Sequence, residues 1–154
     1  MTQRASIISH LESAPARELY FFTLYRALEA GILAGLLFSP LSDVLGELRA
    51  PTLGTVVTAF YLVFAVLMLL MGRKARWLVP LVLVGTGVDI LVAALITYAL
   101  PQATAGIAML LLFNVAAAAL LLPFRWGMLV TAVAPLVMAV EFFISLTSTG
   151  RSVA

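Results

Sequence analysis

The sequence predicts an all-α fold: a polytopic integral membrane bundle of about five transmembrane helices, with its N-terminus in the cytoplasm. Apolar residues fill 64% of the 154 positions, where a soluble domain has about 45–50%. Nine basic and seven acidic residues are the whole charged complement. Apolar runs of spanning length recur five times, and together they leave no length for a soluble catalytic domain beside them.

Residues 1–21 carry Arg4, His10, Glu12, Arg17 and Glu18 and form the expected cytoplasmic segment. Residues 22–147 then form the transmembrane bundle, with helices expected roughly over 22–41, 51–71, 77–100, 104–122 and 127–146. Each run is long enough for a hydrocarbon core about 30 Å thick. Helices are required because only a helix or a closed barrel satisfies its own backbone in lipid, and the runs lack the alternation of barrel strands. Pro40, Pro51, Pro101 and Pro123 and the stretch from Gly72 to Arg76 punctuate the breaks. Residues 148–154 are left as a short tail, and the sequence reads as cut before a sixth helix.

Lys and Arg are retained on the cytoplasmic side. Arg4, Arg17, Arg73, Lys74, Arg76 and Arg125 fall on one side of the runs, whereas the loops of the other side carry one Arg, Arg49, beside Asp43 and Glu47. Trp77 and Trp126 mark the inner ends of the third and fifth runs, where amphipathic rings favour the headgroup level.

An ionisable group at membrane depth is a functional candidate that needs a partner. At about 1.5 Å of rise per residue, Asp89 lies about 18 Å and Glu141 about 21 Å from the inner ends of their runs, and Asn114 lies near the midplane. A polar cluster of Asp89, Asn114 and Glu141 between the third, fourth and fifth helices is therefore expected. Such a cluster can serve as interhelical glue, as a signal-transmitting or ligand-contacting element, or as an ion or proton path. Arg26 and Glu29, three residues apart, are expected to neutralise each other while Arg26 snorkels to the inner surface. Gly85 and Gly87 are expected to admit a neighbouring backbone. Gly31 and Gly35, spaced as GxxxG, offer a homodimer contact.

With no cysteine, no disulfide or thiolate site exists, and one histidine, His10, offers no metal-ligand set. No Gly-rich phosphate loop, GxSxG or HExxH occurs. The expectation is thus no catalytic residue, no metal, no cofactor and no nucleic acid in this chain, with membrane lipids as its constant partner.

The order of residues adds a resemblance. Leu24-Tyr25-Arg26, Tyr61-Leu62-Val63-Phe64, Leu78-Val79-Pro80, Val88-Asp89-Ile90-Leu91, Asn114 and Phe142-Phe143-Ile144-Ser145-Leu146 together resemble the membrane-sensor region of PilS-type sensor histidine kinases over roughly residues 19–147. The resemblance implies a bacterial inner-membrane sensor module of a two-component system, with six membrane helices followed by a cytoplasmic PAS module, a His-containing dimerisation helix pair and an ATP-binding domain. It implies control of type IV pilin transcription through a PilR-type response regulator, with a pilin transmembrane helix as the signal, and it puts Asp89 and Asn114 inside the sensing bundle. None of the matching segments contains a phosphoacceptor histidine, so the chain as it stands is expected not to be an enzyme. Two other readings stay open: a small ion- or proton-coupled transporter using Glu29, Asp89 or Glu141, and a stand-alone membrane scaffold.

Overall fold

The structure, a computed structural model, describes residues 2–38, 49–71 and 78–150, with side chains described from residue 17 to residue 147 of these. Five helices follow in order: α1 (Thr2–Phe38), α2 (Pro51–Met71), α3 (Leu78–Ala99), α4 (Thr104–Leu121) and α5 (Phe124–Gly150). Each contains a stretch long and apolar enough to cross a membrane, and in α1 that stretch is Arg17–Phe38. The N-terminal segment is thus continuous with the first crossing, and α5 runs through Pro135 and onward to Gly150. Asp43, Glu47, Arg73, Lys74, Arg76 and Trp77 lie outside the described residues, while Trp126 is exposed in the first turn of α5.

Prolines set the connections. Leu100 leaves the helical region ahead of Pro101 (φ −131°, ψ 73°), and Pro101–Ala103 makes one turn of 3-10 helix before α4, because a residue before proline is pushed from helical geometry. Leu122, ahead of Pro123, is likewise extended at φ −90° and ψ 151°, which ends α4. The Pro123 carbonyl then accepts from the Trp126 and Gly127 amides and starts α5. A side chain at Gly127 would lie 3.1 Å from the Ala119 carbonyl oxygen, so the small residues here let α5 fold back closely along α4.

The helices α3 and α5 differ most in surroundings: half of the α3 crossing is buried, against 11% of that of α5. The helix α3 is the centre of the bundle, flanked by α2, α4 and α5 and touched by α1. Its buried positions include Val82, Gly85, Asp89, Ala93 and Ile96, a three-and-four spacing that lines up one face. Leu19, Phe22, Arg26, Glu29 and Ala30 repeat that spacing on α1, and Val57, Tyr61, Ala65 and Met68 on α2. The outer faces stay apolar too, as Phe60, Leu112 and Phe143 illustrate. Lipid, unlike water, does not select polar residues for the outside, so the buried polar positions mark the inside more sharply than hydrophobicity does.

Candidate functional site

The polar side chains of α1, α2, α3 and α4 meet at the middle of the bundle. Arg26 is 0% exposed and reaches from α1 to α3. There its Nε donates to Asp89 Oδ1 at 2.9 Å and its Nη2 donates to Asp89 Oδ2 at 2.7 Å. This is the two-pronged guanidinium–carboxylate geometry that combines charge with two parallel hydrogen bonds. The guanidinium also lies over the Phe22 ring, 4.7 Å from its centre, a cation–π contact that covers one of its faces.

From Asp89 the network continues outward. The Tyr61 hydroxyl on α2 donates to Asp89 Oδ1 at 3.0 Å and stands 3.5 Å from Glu29 Oε2. Asn114 on α4 donates through Nδ2 to the same Glu29 oxygen at 2.7 Å. The hydrogen-bonded groups Arg26–Asp89–Tyr61 and Glu29–Asn114, which share α1 and meet where the Tyr61 hydroxyl stands 3.5 Å from Glu29, therefore tie four helices together inside a low-dielectric interior.

Gly85 makes room for it. A Cβ at that position would stand 2.6 Å from Arg26 Cζ. Being one turn before Asp89 on the same face of α3, this glycine provides the flat surface on which the guanidinium rests.

Several expectations are corrected by this geometry. Arg26 neither snorkels nor pairs with Glu29: it is fully enclosed and bonded to Asp89, because a bidentate carboxylate on the facing helix outcompetes a carboxylate three residues along its own. Asn114 bonds Glu29 rather than Asp89 or Glu141. Glu141 stands apart, in a recess that it lines with Thr97, Pro101, Thr104, Phe142, Ser145 and Leu146. The physical reason is register: α5 starts at Phe124, so Glu141 lies about 26 Å along it at 1.5 Å per residue, level with the end of α3. Gly85 meets a side chain and not a backbone, and Gly87 has nothing within 4 Å, while Gly31 and Gly35, offered as a homodimer contact, meet no other atom of this chain within 4 Å.

Tyr61 was missed as a member. Its signal was nevertheless in the sequence: a hydroxyl about 15 Å into the second run, at 1.5 Å per residue, where a buried Tyr hydroxyl needs a polar partner. Arg49, read only as a loop charge, is bonded through Nη1 to Ser145 at 3.0 Å and lies 4.7 Å over the Tyr98 ring.

With the site described, comparisons with known proteins become informative. Residues 9–152 match the family of PilS-like transmembrane domains, whose designation counts six transmembrane segments. The sensor protein kinase PilS of Pseudomonas aeruginosa is 34% identical over 146 residues, covering 94% of this chain and 27% of that protein. The chain thus spans about a quarter of the length of this curated relative. No solved structure matches it. The five apolar helices and this family together make the chain a multi-pass protein of a bacterial inner membrane.

Proposed function

The chain belongs to the family of PilS-like transmembrane domains, and we propose that it is the signal-input part of a two-component sensor histidine kinase that controls type IV pilin transcription through a response regulator. Residues 9–152 carry the family match, and the similar Pseudomonas aeruginosa protein is named a sensor kinase. Phosphotransfer belongs to the whole protein in this reading, and this domain supplies the membrane-embedded input. The N-terminus lies in the cytoplasm, in keeping with exposed Arg17 and Arg125 at one end of the bundle.

The observation that carries the reading is the buried polar network from Arg26 to Asn114. A sensor needs two packings of similar energy that a partner biases differently. Hydrogen-bonded side chains joining α1, α2, α3 and α4 couple these helices, so displacement of one helix by a membrane-embedded signal, such as a pilin transmembrane segment, is felt by the other three. Uncoupled apolar helices would slide past one another without passing on the shift.

The test uses the full-length kinase in its own cells with a pilin-promoter reporter. Asp89→Asn removes one charge and Tyr61→Phe removes one hydroxyl, with membrane abundance followed by immunoblot. A changed reporter level at wild-type abundance is expected for both. Wild-type reporter levels in both variants would mean that the network holds the helices together without transmitting anything.

A further inference from the structure

Beside the polar network, between α1, α2, α3 and α4, lies a void of about 10 Å³ lined by Glu29, Tyr61, Asp89 and Asn114, with Ile96 and Leu111 among its apolar lining. A volume of this size admits one water-sized atom. Around it the charges do not balance. Arg26 is the one cation of the network and is taken by Asp89. No cation stands within 4 Å of Glu29 among the described residues.

The donors and acceptors are equally lopsided. Asn114 is 1% exposed and gives its amide N–H to Glu29, which leaves its Oδ1 buried without a partner. The Tyr61 hydroxyl gives its proton to Asp89, so only its oxygen lone pairs remain to offer. The residues Glu29, Asn114 and Tyr61 that line this small void thus carry a carboxylate, an amide carbonyl without a partner and a hydroxyl oxygen as acceptors. A hard cation held by oxygens suits that set, and a single uncompensated carboxylate calls for a single positive charge.

We propose that this void binds one sodium-sized monovalent cation, ligated by Glu29, the Oδ1 of Asn114 and the Tyr61 hydroxyl oxygen, as the counter-charge to Glu29. The site goes beyond the signal-input reading, and its test requires no kinase activity. A bound cation locks α1 to α4 through Glu29 and Asn114, and to α2 through Tyr61. Loss of the cation frees a buried negative charge that α1 must then accommodate.

The experiment follows thermal loss of helix by circular dichroism on the whole protein in lipid nanodiscs. Sodium chloride is exchanged for choline chloride at constant ionic strength, since choline is far too large for the void. The wild type is expected to show a saturable rise in Tm with sodium, as any ligand of the folded state produces. Glu29→Gln carries no charge to balance, so it is expected to be insensitive to sodium and at least as stable in choline salt as the wild type there. Retention of radioactive sodium, about one ion per wild-type chain, provides a readout that does not depend on the variant folding. Equal Tm in the two salts with no retained sodium would overturn the proposal and leave a water molecule, or a proton on Glu29, in the void. A sodium response that persists in Glu29→Gln would overturn it as well, by placing the ion elsewhere.

Discussion

Arg26 and Arg49 each lie over an aromatic ring and donate to a side-chain oxygen, a carboxylate for Arg26 and a hydroxyl for Arg49, and they sit in opposite surroundings. Each lies 4.7 Å over an aromatic ring, Phe22 or Tyr98, and each donates to an oxygen on another helix, Asp89 or Ser145. Arg26 is sealed in the bundle at 0% exposure, whereas Arg49 is exposed ahead of α2. The comparison separates contact from consequence. A sealed guanidinium without its carboxylate is an uncompensated charge in low dielectric, and an exposed one is screened by water and salt. The centre of the bundle and its exposed end should therefore respond very differently to the same kind of substitution.

The largest effect is expected for Asp89→Leu, which strands the Arg26 charge. A loss of about 3–5 kcal/mol is the usual result of removing one partner of a buried pair, and it is read from denaturant unfolding of the micelle-solubilised protein. Gly85→Ala comes next, because the new methyl group would press on the guanidinium. Overpacking of this kind costs about 1–3 kcal/mol, and in an Arg26→Met/Asp89→Leu background, where no guanidinium is left to press on and no buried charge is stranded, the same Gly85→Ala change should cost much less in the same assay. Tyr61→Phe deletes a single interhelical hydrogen bond and should cost between about 0.6 and 1.7 kcal/mol. Arg49→Ala, at the exposed end, should stay within about 1 kcal/mol of the wild type and lose that small effect in high salt. A cost for Arg49→Ala as large as that for Asp89→Leu would erase the distinction between the two arginines.

The membrane architecture was legible in the sequence because spanning length and the need to satisfy the backbone leave little choice in lipid. The polar residues at depth were legible for a similar reason, and Arg26, Glu29, Asp89 and Asn114 all stood out by their cost. Their pairing was not legible. Which carboxylate Arg26 takes depends on how α1 is rotated against α3, and that rotation is set by features such as the flat surface at Gly85, which carries no signal until its neighbour is known. Glu141 shows the sensitivity to register, since a helix start three residues earlier than expected moved it from the centre to the outer recess. Tyr61 was hidden among the aromatic residues of its run, of which Phe60 faces outward and Phe64 packs against the core.

The central claim is that Arg26 and Asp89 act as one unit at the centre of the bundle, and a double-mutant cycle tests it most directly. Unfolding free energies are measured for Arg26→Met, Asp89→Leu and the pair combined. Each single change is expected to destabilise strongly by leaving a buried charge alone. The double variant, with apolar side chains in both places, is expected to cost far less than the sum. A double variant whose loss equals the sum of the two single losses would contradict the account, because the two residues would then contribute independently.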